Sequence, residues 1–262
     1  MSELSAAPTT LQEDSNDYDD ADDNDPYLRM IQFQSIRNSG GLEEAISVQW
    51  HENMKHPLRL STLLQPEDLA PLFAGAQWAG TRVWHASIAA VQYLISNARI
   101  SSSTRVLELG SGLGVPGILL HALYQCPVTL TDQESILSQL QHNVEHNFTS
   151  CNIQARPLSW SKDAIALLLN ETKDFDICLN CDCIYEPLYG DSWKQLIECM
   201  EELLRRNSHI LMVTSVERRT ADGIDQFLET LKQSPQVSSV DCVFEDKDYR
   251  LEIYVTHGNV MR

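Results

Sequence analysis

Val106-Leu107-Glu108-Leu109-Gly110-Ser111-Gly112-Leu113-Gly114 decides how this chain folds. An apolar, strand-like run enters a glycine-rich turn, and the run from Val115 to Tyr124 that follows reads as a helix. Glycines let the backbone turn tightly and let a ligand lie against bare amides at a helix N-terminus. Gly112, Gly114 and Gly117 also satisfy the G-x-G-x-x-G pattern, which alone does not separate one nucleotide cofactor from another. Glu108 separates them. A carboxylate two residues before the first glycine would repel a pyrophosphate, whereas it would attract the cationic amino group of a methionine moiety. The stretch therefore favours S-adenosylmethionine over NAD.

Working outward, the chain alternates helix and strand from Trp84 onward, which implies an α/β sheet of mostly parallel strands. Ala86 to Ser96 reads as a helix, with Ile88, Val91, Gln92 and Ile95 near helical spacing. Strands are expected at Arg105 to Leu109, Val128 to Thr131, Ile153 to Leu158, Asp176 to Leu179 and His209 to Thr214. Helices are expected at Glu134 to Asn147, Ser192 to Leu204 and Gly223 to Lys232, the first with Ile136, Leu137, Leu140 and Val144 on one face. Val237 to Phe244 and Arg250 to Thr256 close the chain as a strand pair, bringing the strand count to seven.

Upstream, residues 1–26 hold nine acids, no Lys or Arg and almost no large apolar side chains, and read as a disordered tail. Residues 27–80 read as an extension packed on the core, with a strand at Ile46 to Trp50 and a helix start at Pro66 to Leu69. Residues 81–262 form the main domain.

The formal charge is −18, and outside the tail 28 of the 37 acids still face all 19 bases. That balance argues against phosphate-backbone binding, which leaves a basic footprint; it suits a basic protein partner, and equally simple solubility. No run approaches the roughly 20 apolar residues of a membrane span. Seven cysteines without paired C-x-x-C motifs suggest reduced thiols, a cytoplasmic or nuclear location and no metal site.

Ligands of open parallel sheets sit beyond the carboxyl ends of the strands, where Glu108, Asp132, Trp160 and Asp182 fall. Asp132, 18 residues after Gly114, stands where a carboxylate accepts both ribose hydroxyls, or else caps the helix from Glu134. Trp160 either stacks on an adenine or is a half-buried aromatic. Asp182 and Tyr185, three positions apart past the fourth strand, suit an amine that must lose a proton and be aimed at a methyl group. The alternative has Asp182 capping a loop and Tyr185 packed on Pro187. No G-x-S-x-G, H-E-x-x-H, Walker A or Asn-Pro-Pro-Tyr sequence is present.

Val83-Trp84-His85-Ala86, the Val106 to Gly112 turn, Asp132, Leu158-Ser159-Trp160 and the Asp-x-x-Tyr of Asp182 to Tyr185 together resemble the seven-β-strand (class I) S-adenosylmethionine-dependent methyltransferases. Within these they are similar to the methyltransferase-like 21 group of protein-lysine methyltransferases, over roughly Ala79 to His257. The resemblance implies a Rossmann-like, doubly wound sheet of seven strands with an antiparallel terminal strand. It implies a cofactor pocket of Trp84, Gly110, Ser111, Gly112, Asp132, Trp160 and Cys181, to which the turn itself adds Glu108. Asp182 and Tyr185 are implied nearest the acceptor amine. Where Cys181 stands the family often has a smaller residue, so that contact is read as a backbone one. The function implied is protein-lysine N-methylation of a specific intracellular protein; a monomer is expected, although the sequence itself carries no sign of oligomeric state. Methylation of another nucleophile, a non-catalytic S-adenosylmethionine-binding partner and an NAD-binding protein are the alternatives.

Overall fold

In a computed structural model, residues 31–37, 43–50, 54, 56–61, 83–149 and 152–260 are described. The acidic tail and the expected helix start at Pro66 to Leu69 lie outside them. Two sheets are present. The smaller holds β1 (Ile31–Arg37), β2 (Glu43–Trp50) and β3 (Leu58–Ser61), all antiparallel. The sequence reading anticipated only β2, because β1 is rich in polar residues and β3 is four residues long.

The larger sheet contains β4 (Val106–Leu109), β5 (Val128–Asp132), β6 (Ile153–Pro157), β7 (Ile177–Cys181), β8 (Leu211–Glu217), β9 (Val237–Asp246) and β10 (Leu251–Gly258). Its order is β6-β5-β4-β7-β8-β10-β9. The first five run parallel, and β10 is antiparallel to both β8 and β9. The expected doubly wound sheet with an antiparallel terminal strand is therefore present. The chain starts at β4, builds outward to β6, then crosses back to β7, so a crevice opens between β4 and β7 at their carboxyl ends.

Strand alternation sets the layers. Val106 belongs to one apolar cluster and Leu107 to the other, because successive strand residues point to opposite faces. One face carries α1 (His85–Asn97), α2 (Val115–Tyr124) and α3 (Glu134–Asn147); the other carries α4 (Lys162–Glu171), α6 (Trp193–Arg206) and α7 (Ile224–Lys232). The single turn α5 (Glu186–Tyr189) lies between β7 and α6. α3 buries Ile136, Leu137, Leu140 and Val144 as its spacing demanded. α4 was not located from the sequence: Ile165, Leu167, Leu168 and Leu169 carry too little polar contrast to mark a face, and Leu167 is 60% exposed. β7 and β8 also run two to three residues past their expected ends. No helix among the described residues is long and apolar enough to cross a membrane.

The smaller sheet joins the domain through α3. Ile46, Val48, Leu58 and Leu60 enter the α1–α3 cluster. Amide side chains spaced one turn apart on α3 then satisfy the β3 backbone. Gln139 Nε2 donates to the Ser61 carbonyl (2.6 Å), Asn143 Oδ1 accepts from the Ser61 N–H (2.7 Å), and Asn147 both accepts from and donates to Arg59. Asn143 Nδ2 donates in addition to the Leu113 carbonyl at 3.2 Å. One buried amide thus ties the glycine turn to the smaller sheet. Asn143→Ala is expected to cost about 1–3 kcal/mol for each group left without a partner, and the half-buried Asn147→Ala, whose backbone partners on Arg59 water can reach, under about 1 kcal/mol. Urea denaturation checks the order; equal costs would show that Asn143 carries no special load.

Candidate active site

The turn begins where β4 ends. Gly110, Gly112 and Gly114 have φ of 66°, 52° and 80°, in the left-handed region that favours glycine. A Cβ on Gly110 would lie 2.7 Å from Cys183 Sγ and 3.1 Å from Trp160 Cζ2, so the turn packs against both. Hydrogen bonds then weave the ends of β4 and β5 together. Thr131 Oγ1 donates to the Glu108 carbonyl (2.7 Å), the Ser111 N–H donates to the Thr131 carbonyl (3.0 Å), and the Thr131 N–H donates to Ser111 Oγ (3.1 Å).

Glu108 alternates with Leu107 and so points toward α2, where its Oε2 accepts the Gly117 N–H at 2.8 Å. It is 2% exposed. Burial pushes its carboxyl up to about 8; the Gly117 bond opposes that rise and Asp132 adds to it. Asp132 also sits above the ordinary carboxylate range through burial, against the pull of the Gly112 and Gln133 amides. Those amides donate to Oδ2 and Oδ1, both at 2.7 Å. Gln133, not Asp132, holds the N-cap position of α3. The carboxylate therefore belongs to the turn rather than to the helix end.

Asp182 follows β7 with a φ of 55°, uncommon for a side chain other than glycine though tolerated by aspartate. Its carboxylate is held by a bidentate ion pair: Arg219 Nη1 donates to Oδ1 (2.9 Å) and Nη2 to Oδ2 (2.7 Å), while the Glu217 N–H adds a 3.2 Å bond. The guanidinium lies 5.2 Å from the Trp84 ring centroid and 5.5 Å from that of Tyr185. Trp84 itself stands at the N-cap position of α1, and Ser215 Oγ of β8 donates to Ala86 O at 2.7 Å just beyond it. Arg219 is fixed in turn by its own amide, which donates to Asp222 Oδ2 (2.9 Å) at the entry to α7.

These elements enclose a cavity of about 300 Å³ at the carboxyl edge of the sheet. Trp84, Glu108, Gly110, Ser111, Gly112, Asp132, Trp160, Cys181 and Asp182 all line it. Tyr185 does not; its ring faces Arg219. The sequence reading missed Ser87, Gln133, Ser159, Cys183, Tyr189 and Gln195, which also line the cavity. Gln133, Ser159 and Cys183 directly neighbour the chosen residues Asp132, Trp160 and Asp182, and that adjacency was the one available signal. Cys181 and Cys183 are buried thiols pushed well above their ordinary range by burial and neighbouring acids, so both stay protonated. Among the described residues no group of three or more His, Cys, Asp or Glu is placed to hold a metal ion.

The pH consequence of Glu108 has a definite sign. Between about 4.5 and about 8 the buried carboxyl keeps its proton while the unfolded chain releases it. This residue's contribution to stability therefore falls as pH rises through that window. Glu108→Gln removes the titration, so its stability relative to wild type should rise from pH 5 to pH 8, measured by urea denaturation. A flat difference would show that the carboxyl is already ionised in the fold.

A family model described as lysine methyltransferase matches residues 73–234. Secreted RxLR effector protein 48 of Plasmopara viticola is 36% identical over 159 residues, 55% of this chain and 80% of its own. EEF1A lysine methyltransferase 3 of Xenopus tropicalis is 31% identical over 173 residues, 66% of this chain and 72% of its own. Histone-arginine methyltransferase METTL23 of Rattus norvegicus is 28% identical over 152 residues, 55% of this chain and 62% of its own. Among solved structures, PigF with SAH matches with a TM-score of 0.51 at 9% identity, covering 70% of this chain and 58% of its own, a likeness of fold.

Proposed function

The chain belongs to the lysine methyltransferase family, and from that premise we propose that it transfers a methyl group from S-adenosylmethionine to the side-chain amine of a lysine in a protein. One observation carries the reading: a single cavity brings the glycine turn and Asp132 together with Trp160 and Asp182. Asp132 is assigned to the ribose hydroxyls, Trp160 to the adenine face, and Glu108 with the Gly110–Gly112 amides to the methionine end. Cys181 and Trp84 complete the wall.

Asp182 is assigned to the acceptor side. Its charge is already balanced by Arg219, so it orients an amine rather than collecting its proton. Tyr185 acts there through Arg219, as a positioning residue. The lysine reaches the site as a neutral amine after releasing its proton to solvent; its nitrogen lone pair bonds to the methyl carbon as the carbon–sulfur bond breaks. Positive charge passes from sulfur to nitrogen, and S-adenosylhomocysteine leaves. The acidic surface favours a basic protein partner over nucleic acid or membrane, met by a monomer in the cytoplasm or nucleus.

Acceptor identity is tested directly by incubating the chain with methyl-labelled S-adenosylmethionine and cell extract, then hydrolysing the labelled protein. Label in methyl-lysine supports the reading. Label in methyl-arginine replaces lysine with the acceptor named for the rat relative. The two carboxylates are separable by variants. Asp132→Ala should weaken S-adenosylhomocysteine at least tenfold by calorimetry, since it removes charge-assisted bonds worth about 1.5–3 kcal/mol each. Asp182→Asn should leave that affinity within about threefold yet lower turnover about 10²-fold at saturating cofactor, the scale of a positioned polar group. Loss of activity only through lost cofactor binding would remove Asp182 from the acceptor side.

A further inference from the structure

Tyr189 is the cavity-lining phenol that no expectation included. It closes the single turn α5 and lines the same cavity as Asp132, Asp182 and Cys183. Burial is the main influence on it, and Cys183, Asp182, Asp132 and Arg219 are all within its electrostatic reach. Its hydroxyl makes no hydrogen bond to any described residue, although the ring is half-buried. Burial and these acids hold the phenol above its ordinary range, so it remains protonated at neutral pH.

The turn that carries it is firmly set. The Tyr189 N–H donates to the Tyr185 carbonyl at 2.9 Å, and the Glu186 N–H donates to the Asp222 carbonyl at 3.0 Å. Trp193 Nε1 donates to Glu186 Oε1 at 2.8 Å. Gly223 leaves room for that carboxylate, since a Cβ there would lie 2.5 Å from Glu186 Cγ. An unpartnered hydroxyl on a pinned turn, facing a cavity, is a ready hydrogen-bonding group for whatever enters.

Resting on the reaction proposed above, we propose that Tyr189 is a catalytic residue whose hydroxyl hydrogen-bonds the acceptor nitrogen as it meets the methyl group. Asp132, assigned to the ribose, and Asp182, assigned to the acceptor side, line the cavity together with Tyr189, which feels both. Tyr185 cannot take this place, because its ring is stacked on Arg219 outside the cavity lining. The phenol accepts an N–H from the amine and leaves the nitrogen lone pair aimed along the carbon–sulfur axis.

The test needs no protein substrate. Sinefungin is an S-adenosylmethionine analogue that carries an amine where the cofactor carries its methylsulfonium, so its nitrogen probes the transfer position. Tyr189→Phe removes one unpartnered oxygen, and its melting temperature should match wild type. By calorimetry it should bind S-adenosylhomocysteine within about twofold of wild type but sinefungin at least tenfold more weakly, the scale of one hydrogen bond to a charged group. Equal losses for both ligands would assign the hydroxyl to the cofactor body and overturn the proposal. So would unchanged sinefungin affinity. A wild-type chain that binds neither ligand overturns the methyl-transfer reading itself, a result distinct from failure of the Tyr189 assignment.

Discussion

A single buried hydrogen bond, from the Gly117 N–H to Glu108 Oε2, sets the geometry on which the rest depends. It draws the first turn of α2 onto the end of β4, and only glycine permits the approach. A Cβ at position 117 would lie 2.4 Å from Leu130 Cδ2 and 2.7 Å from that same carboxylate oxygen. With α2 drawn this close, the chain has few residues in which to leave β4, reverse and enter the helix. Three left-handed glycines are the consequence. The Gly112 amide then lies beside Asp132, and the ends of β4 and β5 become one bonded unit. Burying a carboxylate is costly, and its raised proton affinity records that cost.

The other wall of the cavity solves a different problem. Asp182 has only 3% of its side chain exposed, and an unpaired charge there would be strongly destabilising. Arg219 neutralises it through a flat, two-pronged contact, and the guanidinium face is free to stack on Trp84 and Tyr185. Lysine could supply the charge but not the fork or the plane. This pair joins the loops after β7 and β8 and the start of α1, three segments far apart in sequence. The two walls thus differ in kind: one is backbone amides around carboxylates, the other a neutralised ion pair between aromatic rings.

That difference explains what could be read from residues alone. The glycine turn, the strand ends and the helix faces of α3 and α6 are local patterns, and Val106 against Leu107 already states which way each side chain points. Nine of the ten chosen residues line one cavity because strand ends converge in any parallel sheet. The exception, Tyr185, is kept off the cavity wall by a long-range fact: its ring is engaged by Arg219, 34 positions later, and no spacing rule announces such a pairing. Tyr189 was missed for the mirror reason. One helical turn carries it back toward the cavity, and that turn exists only because Glu186 is pinned by Asp222 and Trp193. α4 was invisible because an almost wholly apolar run has no polar side from which to measure a period.

Charge placement makes the last link between this architecture and the proposed chemistry. Methyl transfer to an amine moves a positive charge from sulfur to nitrogen without creating or destroying one. A site that stabilised only the sulfonium would hold the donor and resist the transfer. Here negative groups stand at both ends, Asp132 beside the turn and Asp182 beyond β7, while Arg219 limits how strongly Asp182 can attract an incoming ammonium. As proposed, a protonated lysine would thereby be denied an unscreened carboxylate, whereas a neutral amine would lose nothing by the presence of the guanidinium. On the proposed assignment the ion pair would favour the nucleophilic form of the acceptor while leaving an oriented dipole to receive the charge as it arrives. In the proposed reaction Arg219 would lower the affinity for the unreactive substrate form, and the gain would come through selection of the reactive one.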